Sequence, residues 1–292
     1  MARFIMAGRF QAIGFVIVFA LLPLLGLFSN AAIALVALRK GWQEGLLLAL
    51  IGSIAVAIFT YIEQHNFTFG FLLACIQWMP IILFAWILSQ TISWETTLQA
   101  LLGLSVVVVV VLHIIIPDPS VFWLELLSST MNNAEVSAEN KESLKVLEQG
   151  FAEITPLLAG IVVALSSLMI AVALLMARNW QAQLYNPGGF GEEFRELRIG
   201  KPAALISLLL VVIAFVTKTH IVLELLICSV AIFLFQGIAL IHALVKLHNM
   251  HQLWLVAMYL LLVLLNTQMA IMLAAVGIID SFADFRQRFI KQ

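Results

Sequence analysis

Apolar residues in this chain gather in long unbroken runs, with neither the alternation of a half-buried strand nor the narrow stripe of a surface helix. Nine runs stand out: 10–28, 30–38, 44–62, 68–89, 95–116, 152–177, 202–217, 221–246 and 253–279. A helix needs about 20 apolar residues to cross a bilayer. Eight of the runs read as spans, and 30–38 as too short to cross unless tilted or re-entrant. Pro23 and Asn30 punctuate the first stretch, so 10–38 reads either as one long kinked helix or as a span followed by a half-helix. Neighbouring helices can satisfy the carbonyl that a proline frees. The pattern predicts an all-α, polytopic transmembrane helix bundle, a single integral membrane domain over residues 1–292.

Two polar stretches orient the bundle. The stretch 117–150 opens with Pro117-Asp118-Pro119, a firm helix stop. It carries Asp118, Glu125, Glu135, Glu139, Glu142 and Glu148 against Lys141 and Lys145. Asn132 with Glu135 three residues on suits a helix start. Val136, Leu144, Leu147, Phe151 and Ile154 then recur at helical spacing, which predicts an amphipathic helix along the membrane surface. The stretch 178–201 carries Arg178, Arg195, Arg198 and Lys201. Short loops rich in Lys and Arg stay cytoplasmic, so this loop is expected inside and the acidic one outside. Arg39 and Lys40 then fall inside as well. The C-terminus, with Arg286, Arg288 and Lys291, falls outside, against the same rule. Arg3 and Arg9 precede the first run as in a signal peptide, but no small-x-small cleavage site follows, and the run reads as an uncleaved helix.

Composition agrees with the pattern. Of 292 residues, 63% are hydrophobic and 11% charged, against about 45–50% and 25% in a soluble domain. That excludes a water-soluble fold. Formal net charge is −1, from 15 basic and 16 acidic residues, so no basic surplus attracts nucleic acid. Cys75 and Cys228 both lie in apolar runs and read as buried thiols. No HExxH, GxSxG or P-loop pattern is present. His248 and His251 fall in a short turn after His242 with no carboxylate among them, and read as interfacial. No catalytic residue, cofactor or metal is assigned, and the chain is not expected to be an enzyme.

Candidate chemistry sits in three places. The cytoplasmic loop holds Tyr185, Asn186, Pro187, Gly188, Gly189, Gly191, Glu193, Arg195 and Arg198. Asn-Pro-Gly-Gly is turn chemistry, and Glu192 and Glu193 then fall in the first turn of a short helix, where carboxylates suit the dipole. Trp180 and Tyr185 fit the headgroup level. The loop is either a capped elbow or a docking surface for a cytoplasmic protein. The C-terminal segment places Asp280 and Asp284 one turn apart on one helix face, with Arg286 beside them and Arg288 spaced to pair with Asp284. Inside the runs, Gln77, Gln236, His242, Asn266 and Gln268 are the deep polar residues. They either bridge helices or converge on a small-molecule site. Glu224, His220 and His113 lie nearer the run ends and read as interfacial.

The segment NWQAQLYNPGGFGEEFRELRIG (179–200) and the closing GIIDSFADFR (277–286) resemble the YybS-like family of bacterial membrane proteins of unknown function. The resemblance covers essentially the full length. Through the distant relation of that family to the S-components of energy-coupling-factor vitamin transporters, it implies a six-helix core, small-molecule binding within the membrane and a cytoplasmic energising module. S-components carry Ala-x-x-x-Ala spacing in their first helix, whereas Ala12 and Ala20 are eight apart here. Ala239 and Ala243 have the spacing on a later helix, where close packing accounts for it. The expected role is small-molecule binding or transport at a bacterial inner membrane, or else a non-transporting scaffold docking a cytoplasmic protein through 185–198. The expected partners are lipid, a small-molecule ligand or a cytoplasmic protein, and no nucleic acid.

Overall fold

The computed structural model describes residues 1–22, 25–116, 119, 121–125, 150–151 and 154–290. Among the described residues there is no strand. Before the acidic stretch come α1 (Ala2–Ala7), α2 (Arg9–Leu21), α3 (Gly26–Lys40), α4 (Trp42–Gln64), α5 (Phe67–Thr91) and α6 (Trp94–Ile115). After it come a 3₁₀ turn (Thr155–Leu157) running into α7 (Leu158–Tyr185), then α8 (Gly189–Arg195), α9 (Lys201–Thr217), α10 (His220–Leu247), α11 (Leu253–Ala283) and α12 (Phe285–Ile290).

Among the described residues, six helices are long and apolar enough to cross a membrane: α4, α5, α6, α7 with its leading turn, α10 and α11. The chain is an all-α, multi-pass membrane protein. Two further apolar helices, α2 and α9, are shorter, with 13 and 17 residues. At 1.5 Å per residue they rise about 20 and 26 Å, short of a hydrocarbon core of about 30 Å. The stretch 10–38 is neither one kinked helix nor a span with a half-helix from 30. It is two short helices, the second starting at Gly26 and burying Ser29 and Asn30 within it. The amphipathic helix expected from Asn132 lies largely outside the described residues.

The chain forms two compact units. The first comprises Met1–Gln99 and Leu168–Ile199. In it α4 lies against α5, and α3 packs on both. The run Ala31–Ala37 is wholly buried, and its four alanines let neighbouring helices approach closely. Asn66 caps α5 by accepting from the Phe69 N–H at 3.0 Å. Phe15, Phe19, Phe28 and Trp180 form an aromatic cluster, with Phe15 and Phe19 stacked at 4.2 Å between centroids.

The second unit comprises Ala100–Ser167 and Gly200–Gln292. Its centre is α10, which packs on α9, α11 and α12. Gly237 faces the backbone carbonyl of Leu273, and a Cβ at Gly277 would sit 2.7 Å from the Phe233 carbonyl. Helices α10 and α11 therefore meet backbone to backbone, as small residues allow in membranes. Hydroxyl pairs stitch further helices together, Ser105 to Ser167 at 2.8 Å and Ser207 to Ser229 at 2.5 Å. Helix α11 is interrupted at Asn266, whose φ of 33° and ψ of −98° leave the helical range.

Candidate functional site

In the first unit the elbow that follows α7 is tightly built. After α7 the chain turns through Asn186, Pro187 and the left-handed Gly188, then starts α8 at Gly189. Glu192 lies in the first turn of α8, as expected. Glu193 points back: one oxygen accepts from Trp94 Nε1 at 2.6 Å, and both accept from Arg178 Nε at 3.0 Å. Arg178 Nη1 donates to Gln181 Oε1 at 2.7 Å. The Arg39 guanidinium lies 4.2 Å over the ring of Tyr185, a cation–π arrangement. Leu197 and Ile199 are buried, and Gln99 donates to the Ile199 carbonyl at 2.5 Å. A pocket of about 100 Å³ opens beside Arg178, Tyr185, Asn186, Phe190 and Glu193. Of the loop residues singled out in the sequence, Tyr185, Asn186, Gly189 and Glu193 gather at this pocket. Pro187 and Gly188 are exposed, and Gly191, Arg195 and Arg198 are half-buried.

Gln77 also belongs to this unit. Its Nε2 donates to Asn30 Oδ1 at 2.9 Å, and Trp78 Nε1 donates to the same oxygen at 3.0 Å. One buried asparagine oxygen thus serves two donors from α5, which is helix bridging.

In the second unit the C-terminal motif is a buried ionic cluster. Asp280 Oδ2 lies 3.2 Å from Arg286 Nη1 and accepts from Gln236 Nε2 at 3.2 Å. Its other oxygen accepts the Phe285 N–H at 3.2 Å. Gln236 also donates to Ser281 Oγ at 3.1 Å. The expectation that Asp280 and Asp284 share one helix face is corrected. Asp284 ends α11 in the left-handed region, with φ 46°, so the chain reverses there and Arg286, not Asp284, comes to Asp280. Asp284 instead opens α12, its Oδ1 accepting the Gln287 N–H at 3.4 Å.

The other polar residues of α10 and α11 stand apart from this cluster. His242 Nε2 meets the Tyr259 hydroxyl at 2.9 Å. Asn266 and Gln268 are exposed, at and beside the interruption of α11. Gln236, His242, Asn266 and Gln268 therefore occupy three places along the α10–α11 pair. Among the described residues no three His, Cys, Asp or Glu side chains form a metal-sized group.

One pair escaped the sequence reading. Glu224, read there as interfacial, is fully buried one turn into α10, and its Oε2 lies 3.4 Å from His113 Nε2 on α6. Gly160 on α7 makes room for it, since a Cβ there would overlap the Glu224 side chain. The available signal was an acid one turn inside an apolar run, which in a membrane helix is rare and usually functional.

The chain belongs to the family described as predicted membrane protein DUF2232, whose model matches residues 12–281. No curated protein and no solved structure matches the chain.

Proposed function

We propose that this chain is a bacterial inner-membrane protein that binds and moves a small solute, in a role similar to that of the S-components to which the YybS-like family is related. The observation that carries this reading is the interruption of α11 at Asn266. A helix that only anchors keeps its backbone ladder closed, because an open N–H or C=O in hydrocarbon costs several kcal/mol. Here the backbone leaves the helical range in mid-helix, and Asn266, Thr267 and Gln268 are exposed at the kink. Two side-chain amides there give donors and acceptors for a polar solute, and solute sites of transporters are typically built from discontinuous helices. Gln236 and His242 serve this site by holding α11 through Asp280, Ser281 and Tyr259. Gln77, committed to Asn30 in the first unit, is left out of it.

Native mass spectrometry of the protein, extracted from its own membrane in mild detergent, tests the reading. A reproducible small molecule is expected. It should be lost in Asn266→Ala and Gln268→Ala while the melting temperature holds. Retention of the molecule in both variants, or a fall in melting temperature alone, refutes the site.

The packed elbow favours a second reading, docking of a cytoplasmic protein. The Arg178–Glu193–Trp94 contacts present residues 185–198 as a fixed surface rather than a loose loop. Under this reading Arg195→Glu with Arg198→Glu releases a stoichiometric protein partner. A complex indifferent to both changes counts against it.

A further inference from the structure

The geometry points to His113 and Glu224 as a proton-binding pair that holds one proton between His113 Nε2 and Glu224 Oε2. The pair joins two membrane-spanning helices, α6 and α10, within the second unit. Three observations carry it. The Glu224 side chain has no solvent exposure, and its carboxyl oxygens lie beside the Gly160 backbone with no side-chain hydrogen bond among the described residues. His113 Nε2 is 3.4 Å away. The other ring nitrogen, His113 Nδ1, lies 3.0 Å from the Val109 carbonyl oxygen.

That last contact fixes the proton count. A backbone carbonyl can only accept, so Nδ1 carries a hydrogen and Nε2 faces the carboxyl. If neither Nε2 nor the carboxyl holds a proton, two lone pairs oppose each other beside a buried, unsolvated anion. If both hold one, two hydrogens oppose each other beside a half-buried cation. Each arrangement leaves a net charge in an apolar place, which is costly. With one proton between them the pair is net neutral, whether written as carboxylic acid and imidazole or as carboxylate and imidazolium. The proton passes between Nε2 and Oε2 with no other atom changing partners. Among the described residues, the further titratable groups around Glu224 are His220, exposed at the start of α10, and the Cys228 thiol one turn on. Helix α7 offers backbone at Gly160 there. Neither neighbour stands between the two members of the pair.

The proposal stands apart from the solute reading and is tested without any solute. The full-length protein, in lipid nanodiscs, is followed by infrared difference spectroscopy across a pH series. The Glu224 carboxyl band is assigned by its loss in Glu224→Gln. Because the two sites share one proton, His113→Gln should move the titration of that band by about tenfold or more in proton concentration. Histidine-ring nitrogen NMR of the wild-type protein should show His113, assigned by its loss in His113→Gln or His113→Asn, with hydrogen on Nδ1. A Glu224 band that titrates identically with and without His113 overturns the proposal. So does a His113 ring with a bare Nδ1, a result that needs no functional Glu224 variant.

Discussion

Replacing Asp280 with alanine should destabilise the second unit more than any single apolar truncation on its surface. The carboxylate faces Arg286 at 3.2 Å, accepts from Gln236 and caps the Phe285 N–H. Arg286 keeps only 8% of its surface exposed, so water cannot take over from the lost carboxylate. Removing one member of a buried ion pair costs about 3–5 kcal/mol, because the remaining charge loses that partner and stays desolvated. The pair itself contributes far less, since both charges were desolvated to make it. Asp280→Asn with Arg286→Met, which removes both charges at near-constant volume, should therefore recover about 1–4 kcal/mol of that loss. The assay is equilibrium unfolding in mixed micelles for the wild type, both single variants and the double variant. A single-variant cost under about 1 kcal/mol would mean that solvent or another group already neutralises Arg286. A double variant no better than Asp280→Ala would refute the claim that the penalty is uncompensated charge.

Asn30→Ala should strand two donors, Gln77 Nε2 and the buried Trp78 Nε1, and lower stability by about 1–3 kcal/mol in the same unfolding assay. Gly237→Val should drive a side chain into the Leu273 carbonyl and cost about 1–3 kcal/mol or more, read as a lower melting temperature. Glu193→Ala should lower stability by about 1–3 kcal/mol, because it strands the buried Trp94 Nε1 as well as opening the partly exposed pair with Arg178. It should also free the elbow, giving faster proteolysis between Tyr185 and Arg198 than in the wild type.

The long apolar runs made most of the fold legible. Helices α4, α5, α6, α10 and α11 match the runs 44–62, 68–89, 95–116, 221–246 and 253–279 to within a few residues at each end. The turn at Asn186-Pro187-Gly188 and the acid in the first turn of α8 were legible because turn and dipole chemistry act locally. What escaped depends on azimuth and on chain reversal. A helix that is apolar all round gives no signal of which side faces its neighbour, so Asn30 could not be matched to Gln77, nor Glu224 to His113. The Arg286–Asp280 pair hangs on one left-handed residue, Asp284, whose type permits that conformation without requiring it. Helices α2 and α9 come out short because α2 ends at Leu21, inside the run 10–28, and the run 202–217 is itself short.

The break at Asn266 also has a mechanical meaning. It divides α11 into two stiff rods, the outer one being Leu253 to Leu265, about 20 Å long at 1.5 Å per residue. A pivot of about 10° at a single residue would swing the tip of that rod by about 3–4 Å, comparable to the width of a water molecule. The inner rod need not follow, because Gly237 and Gly277 lock it against α10 at backbone distance. One end of the last span is thus clamped backbone to backbone, while the other carries the side-chain tie from Tyr259 to His242 at 2.9 Å, which a swing of that rod would have to break.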